Sequence, residues 1–140
     1  MGPTTTTRSN LKSYRDLLVR QKAIDLVVIS YKATTPFPKS ETYGLISQIR
    51  RAATSIPANI AEGYGRGSRK EYVQFLMMAQ GSLKELETHI IVSEKLSYLT
   101  SAQSQRLLLQ SDELGRMLGS LIRKLKQSSA STPYTQPLTP

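Results

Sequence analysis

Three short clusters of basic residues are the part of this sequence best suited to binding a ligand. The chain carries 19 lysines and arginines against 10 acidic residues, a net charge of +9. Such an excess favours polyanions, namely RNA, DNA or an acidic protein face, although it also serves solubility. The three clusters contain Lys12, Arg15, Arg66, Arg69, Lys70, Arg123, Lys124 and Lys126.

The residue types needed for catalysis or metal binding are scarce. There is no cysteine, and His89 is the single histidine. A di-iron bundle needs a glutamate three residues before a ligating histidine, and Leu86 stands at that position. The glycines from Gly63 to Gly67 lack the Gly-Lys-Ser/Thr ending of a nucleotide-binding loop. We therefore predict no enzymatic activity, cofactor or metal site, and place His89 on a helix flank near Glu85.

The apolar residues are spread along the chain instead of forming a membrane span. A spanning helix needs about 20 consecutive apolar residues, and no run in this sequence approaches that length. The first residues, from Met1 to Thr7, have no apolar centre of the kind that signal peptides contain. These features predict a cytoplasmic protein without membrane association.

Four helices with short connections are predicted to position the basic clusters. The first runs from about residue 14 to 33 and ends before Pro36. The second begins after Ser40, a plausible N-cap, and closes at the glycines 63–67. Capping boxes open the third helix at Ser68 and the fourth at Thr100, because a glutamate or glutamine stands three residues after each.

The apolar residues of these helices recur in alternating steps of three and four, the period of a bundle seam. Short connections make neighbouring helices antiparallel, so an all-α, antiparallel up-down four-helix bundle is predicted over residues 11–126. The tails 1–10 and 127–140 are expected to be disordered. In this topology the start of the first helix, the second loop and the end of the fourth helix meet at one pole, and that pole collects the three basic clusters. The last cluster would also suit a helix C-terminus for dipole reasons alone.

Two further features concern the interior of the bundle. Pro57 lies inside the second helix, and we expect a kink or break there, with Asn59 bonding nearby backbone. The apolar runs 26–29 and 75–78 exceed what one seam needs, which indicates either burial against a second subunit or a generous core.

One stretch resembles the signature of the bacterial 23S rRNA intervening-sequence protein family. Residues 48–63 read Gln-Ile-Arg-Arg-Ala-Ala-Thr-Ser-Ile-Pro-Ala-Asn-Ile-Ala-Glu-Gly. Residues 17–23, residues 37–38 with Glu41 and residues 43–45, and residues 81–87 also look like the family. The resemblance implies a four-helix bundle that assembles as a ring of five. Some family members are encoded within insertions in ribosomal RNA genes. A related branch, the accessory variability proteins of diversity-generating retroelements, binds nucleic acid and partners a reverse transcriptase.

The polar residues of this signature are interpreted as a structural network, because the family has no established catalytic residues. They would tie the second helix to the third, or one subunit to the next, as buried pairs whose disruption costs about 3–5 kcal/mol. The set comprises Arg50, Arg51, Asn59, Glu62, Ser82, Glu85 and Glu87.

The predicted function is a non-enzymatic homo-oligomer that associates with RNA or DNA through the basic pole. Tyr64 and Tyr72 are placed to offer stacking surfaces for unpaired bases. The alternative is a protein-interaction ring that serves as an accessory subunit of a reverse transcriptase or another enzyme.

Overall fold

The chain folds as four long helices packed side by side. The structure is a computed structural model that describes the backbone of residues 7–130 and the side chains of residues 14–127. Neighbouring helices run antiparallel and α4 returns to pack against α1, which confirms the predicted all-α up-down four-helix bundle. The elements are α1 (Thr7–Thr34), a short 3₁₀ helix (Lys39–Glu41), α2 (Leu45–Gly65), α3 (Arg69–Lys95) and α4 (Ser101–Ala130).

The first and last helices are longer than the sequence indicated. Residues 7–10 and 127–130, which we assigned to the tails, belong to α1 and α4. Neither segment contains glycine or proline, so nothing in the local sequence stops the helix. The remaining parts of the predicted tails, 1–6 and 131–140, lie outside the described residues.

The start of α2 differs from the prediction that Ser40 caps it. Ser40 lies within the 3₁₀ helix, and the N-cap of α2 is Gly44. Oε1 of Glu41 accepts a 3.0 Å hydrogen bond from the Leu45 amide, so a side chain upstream satisfies one of the unpaired amides at the helix start. The second oxygen, Oε2, accepts a bond from the Tyr98 hydroxyl, which ties this connection to the loop between α3 and α4.

The end of α2 lies within the predicted glycine stretch, but the glycines there have different roles. Gly63 and Gly65 both lie within the helix, and Gly63 is buried. A methyl group on Gly63 would stand 2.5 Å from Cβ of Phe75, so this glycine permits close approach of α2 and α3 instead of ending the helix. Gly67 is the glycine that turns the chain, because its φ of +81° is unfavourable for other residues.

The two predicted capping positions are present. Ser68 is the N-cap of α3, and its hydroxyl accepts a 3.2 Å bond from the Glu71 amide. At α4 the box is reciprocal: the Thr100 hydroxyl accepts from the Gln103 amide, and the Gln103 side chain accepts from the Thr100 amide. These caps fix where α3 and α4 begin, and therefore where the loops at both ends of the bundle lie.

The predicted seams form the core. Every predicted seam residue is buried except Ile46, which packs partly buried against the others. The seams are Ile46, Ile49, Ala53, Ile56 and Ile60 on α2; Tyr72, Leu76, Ala79, Leu83, Leu86 and Ile90 on α3; and Leu107, Ser111, Leu114, Leu118, Leu121 and Leu125 on α4.

Pro57 does not divide α2, which continues through it as one helix. Nδ2 of Asn59 donates a 2.8 Å hydrogen bond to the Ser55 carbonyl, one turn earlier in the same helix. Asn59 therefore bonds nearby backbone, as its position beside Pro57 led us to expect.

A row of large apolar side chains remains on the surface of the single chain. Four of these side chains lie on α1 at intervals of seven, four and three residues, which is the spacing of one helix face. We call this row the α1 stripe. Val28, Met77 and Met78, from the apolar runs that exceeded one seam, are exposed. The α1 stripe consists of Leu17, Ile24, Val28 and Tyr31, with exposed fractions of 51, 43, 46 and 40%.

Candidate nucleic-acid interface

The structure brings the three basic clusters to one end of the bundle. Arg15 on α1 and Lys124 on α4 line the same cleft. Arg69, at the start of α3, lines another with Leu125 of α4. We call this end the basic pole. Its described members are Arg15, Arg66, Arg69, Lys70, Arg123, Lys124 and Lys126, whereas the side chain of Lys12 lies outside the described residues.

Most of these cations are available to a ligand. All seven side chains are exposed. Among the ion pairs of the described residues, only Arg66 of this set takes part: its Nη2 lies 3.0 Å from Oε2 of Glu62, one turn back on α2. The Arg66 guanidinium also lies 4.9 Å from the ring centre of Phe75, a cation–π contact. The other six project charge into solvent.

Little acidic charge offsets them at this end. Asp16 is buried and accepts a 2.6 Å hydrogen bond from the Tyr72 hydroxyl. Glu62 pairs with Arg66, and Glu71 lies in the first turn of α3. The pole therefore keeps a positive surplus, which concentrates anions near it.

The two tyrosines predicted as stacking surfaces have different environments. Tyr72 is buried, so the expectation that it stacks on a base is wrong: its ring belongs to the core seam, and its hydroxyl is bonded to Asp16. Tyr64 is 51% exposed, and its ring lies edge-on to Tyr72 with 5.7 Å between the centroids. Burial and the bond to Asp16 raise the pKa of the Tyr72 phenol, which therefore remains a donor at neutral pH.

The residues of the predicted structural network serve several different contacts. Nη2 of Arg51 donates to Oε2 of Glu85 at 2.6 Å, and the hydroxyls of Ser55 and Ser82 contact each other, so both pairs join α2 to α3. Arg50 instead joins α2 to α1, because Nε donates to Oγ1 of Thr34 and the guanidinium lies over the Tyr31 ring.

The remaining network residues also depart from a simple link between α2 and α3. Glu87 accepts a 2.6 Å bond from the Ser111 hydroxyl, which joins α3 to α4. Asn59 bonds within α2, and Glu62 accepts a hydrogen bond from Arg66 just after the end of that helix. The Arg51 and Glu85 side chains are 60 and 39% exposed, so the single chain does not bury this pair as predicted. Breaking the pair in the single chain should therefore cost about 0–1 kcal/mol of stability, less than breaking a buried pair would.

His89 lies where the sequence placed it, on a helix flank. Its Nε2 is 3.6 Å from Oε2 of Glu85, one turn back on α3. Within the described residues, no three histidine, cysteine or acidic side chains gather as a metal site would require. In the same part of the chain, no helix is long and apolar enough to span a membrane.

A cleft between α1 and α4 was not foreseen from the sequence. Arg116 lines it together with Arg15 and Lys124, and it also pairs with Asp112 one turn earlier on α4. A partial signal was present, because Arg116, Ser120 and Lys124 follow one another at intervals of four residues and share one helix face. Only the packing of two helices distant in sequence creates the cleft beside them.

The comparisons with known proteins agree with the resemblance in the signature region. A solved structure from Bacteroides thetaiotaomicron, described as a protein with unknown function from the S23 ribosomal protein family, is similar to this chain, with a TM-score of 0.71. The two are 26% identical over 78% of this chain and 98% of the other. A search of curated proteins gave no match. The model of the family described as 23S rRNA-intervening sequence protein matches residues 15–120, most of the bundle, and the chain therefore belongs to this family.

Proposed function

We propose that this protein is a non-enzymatic, cytoplasmic homo-oligomer that binds the phosphate backbone of RNA or DNA through its basic pole. The observation that carries the proposal is the group of six exposed cations without an ion pair among the described residues. They come from three distant parts of the chain, so the charge is concentrated by folding. A basic surface of this kind is the usual footprint of nucleic-acid binding.

Binding of this type is dominated by counterion release. Each phosphate that a lysine or arginine neutralises releases condensed cations, and affinity falls as salt rises. Contacts to phosphates carry no base sequence, so affinity varies little between sequences of the same length. The proposal therefore requires strong dependence on salt and weak dependence on sequence.

Self-association is proposed on the α1 stripe. Ile24 and Val28 lie at its centre, each nearly half exposed, and a row of exposed apolar side chains on one helix face is typical of an interaction face. The family resemblance suggests five subunits. Cyclic symmetry would repeat the basic pole around one face of a ring, and several weak phosphate sites would then act together.

The alternative function is an interaction ring that serves a reverse transcriptase or another enzyme. The same exposed stripe favours it, because an apolar face can receive a different protein as well as a second copy. A complex with one protein partner that survives high salt would support this alternative, whereas polyanion binding would be lost.

The test of the pole removes three charges from one end of the molecule and compares this with the same removal at the other end. The test variant changes Arg123, Lys124 and Lys126 to glutamine. The control changes Lys32, Lys39 and Lys95 to glutamine, and these exposed lysines lie near the opposite end. Affinity for RNA and DNA is measured at about 50 mM and about 200 mM salt.

The test variant should bind more weakly, and its salt slope should fall by up to about 0.9 for each lost contact with duplex DNA. The control variant loses the same net charge but keeps the basic pole, so its salt slope should not change. Equal loss in both variants would show that only net charge matters. If the wild-type chain binds neither RNA nor DNA at low salt, the proposal is wrong.

Assembly is tested by mass. Light scattering at micromolar concentration should give a multiple of the 15.6 kDa chain, and Ile24→Glu should reduce it towards one chain. Leu109→Glu is the matched control, because Leu109 is 70% exposed on α4 outside the stripe. A wild-type mass near that of one chain would contradict the proposed assembly.

A further inference from the structure

The cleft between α1 and α4 has an apolar floor that phosphate binding does not use. Its volume is about 410 Å³, within the range of small-molecule sites of about 300–1,000 Å³. Val19 and Leu121 are buried on this floor, and Leu18 and Met117 are partly buried beside them. An apolar recess of this size favours a ligand with an apolar part, because binding removes that part from water.

The two ends of the cleft differ in charge. At the end away from the pole, Nζ of Lys22 lies 3.4 Å from Oε2 of Glu113, an ion pair that joins the two helices and neutralises both charges. At the pole, Arg15 and Lys124 are exposed, and neither appears among the ion pairs of the described residues. The cleft is therefore apolar along its floor and positive where it opens.

A nucleotide is complementary to this cleft, because it combines a base that can be buried with phosphates that are negatively charged. Its base presents a flat face that gains by leaving water against side chains, and its phosphates carry the negative charge. Ser120 and Arg116 line the cleft and can offer hydrogen bonds to the polar edge of a base. A base inside a duplex is stacked and paired on all sides and has no face to offer, so only an unpaired base can enter.

We propose that the cleft accepts an unpaired nucleobase while Arg15 and Lys124 bind the phosphates on either side of it. The inference rests on the proposed function and adds a substrate class, single-stranded nucleic acid. Charge alone would act the other way, because counterion release is greater for duplex DNA than for single strands. A preference for single strands is therefore evidence of contact with bases.

The first test varies only the nucleic acid. The full-length chain is titrated with a single strand, with a duplex of the same sequence and length, and with an abasic strand that keeps every phosphate but lacks bases. Burial of apolar surface contributes about 25 cal/mol per Å², so covering about 60 Å² of a base on the aliphatic floor is worth about 1.5 kcal/mol. The single strand should therefore bind about tenfold more tightly than the abasic strand. It should also bind more tightly than the duplex.

The second test fills the cleft without changing charge. Ser120→Leu adds apolar volume beside the floor, excludes the base from it, and should lower single-strand affinity about tenfold, towards that of the abasic strand. Duplex affinity should not change. Ser47→Leu is the matched control, because Ser47 is exposed near the start of α2, away from the pole.

The outcomes separate this inference from the proposed function. If the single strand, duplex and abasic strand bind equally and binding weakens with salt, the pole binds phosphates but the cleft receives no base. If Ser120→Leu folds as wild type and binds single strands equally well, the base does not enter this cleft. If no nucleic acid binds, the proposed function fails as well. If Ser120→Leu does not fold, the abasic comparison can still refute the inference, because equal binding of the single strand and the abasic strand means that no base is contacted.

Discussion

The hydroxyl of Tyr72 on α3 lies 2.6 Å from a carboxylate oxygen of Asp16 on α1, and both side chains are buried. The bond joins two helices that are not neighbours in sequence, directly beneath the basic pole. It also explains why a tyrosine that fits an apolar seam is not available to a ligand. A buried carboxylate needs such a donor, because leaving it without one is costly.

Replacing Tyr72 by phenylalanine should therefore destabilise the bundle. The ring still fills its place in the core, but Asp16 loses a donor, which costs about 1–3 kcal/mol in the free energy of unfolding. Urea unfolding at neutral pH measures the difference. Tyr43→Phe is the control, because Tyr43 is 95% exposed, and it should change stability by less than about 0.5 kcal/mol.

The same phenol predicts a response to alkaline pH. Burial and Asp16 raise the pKa of Tyr72 in the folded chain above its ordinary value of about 10. Above that pH the unfolded chain releases a proton that the folded chain keeps, so stability falls as pH rises. Wild type should lose more stability than Tyr72→Phe between about pH 9 and about pH 11. Parallel losses would show that Tyr72 does not contribute.

Two glycines within helices should respond in opposite directions to alanine. At Gly63 the new methyl group would stand 2.5 Å from Cβ of Phe75 and 3.1 Å from Cδ1 of Tyr72, so α2 and α3 must separate. This should cost about 1–3 kcal/mol. At Gly81 it would meet no atom within 4 Å, and alanine should stabilise α3 by about 0.5–1 kcal/mol.

Thermal unfolding of the two alanine variants checks this contrast. Circular dichroism should show unchanged helix content in both, with the midpoint lowered for Gly63→Ala and raised for Gly81→Ala. If Gly63→Ala is as stable as wild type, the close approach of α2 and α3 is not what requires a glycine there.

The glycine at position 63 also illustrates how far the sequence could be interpreted. Periodicity located the seams because burial on one helix face repeats every three or four residues, and the box at Thr100 was recognisable because its partners are local. A glycine inside a helix and a glycine that ends one look alike in sequence. Which role Gly63 has depends on Phe75, a residue on the next helix.

The candidate site was predictable to a similar degree. Topology alone placed the basic clusters at one end, because connectivity fixes which helix ends meet. Partners could not be assigned in the same way: Arg50 and Arg51 are adjacent, yet they point to α1 and α3. The cleft between α1 and α4 depends on contact between the first and the last helix of the chain. A local sequence pattern cannot predict a contact between segments so far apart in sequence.

The pair formed by Arg51 and Glu85 gives the last prediction. The hydrogen bond from Arg51 lowers the pKa of the Glu85 carboxyl, and the charges of Arg51 and His89 act in the same direction. Its contribution to stability is present above the ordinary glutamate pKa of about 4.3 and is lost as pH falls through the lower, folded value. Because solvent reaches both side chains, which are 60 and 39% exposed, the contribution should be about 0–1 kcal/mol.

Arg51→Gln should therefore reduce stability by no more than about 1 kcal/mol at neutral pH, and the difference from wild type should shrink as the pH falls below about 4. Glu85→Gln should give a similar loss, and the double variant should lose less than the sum, because the two residues share one interaction. A difference that is constant with pH would show that the pair does not act through its charge. A loss of about 3–5 kcal/mol would indicate that the pair is buried in the assembled protein, because breaking a buried ion pair costs about that much.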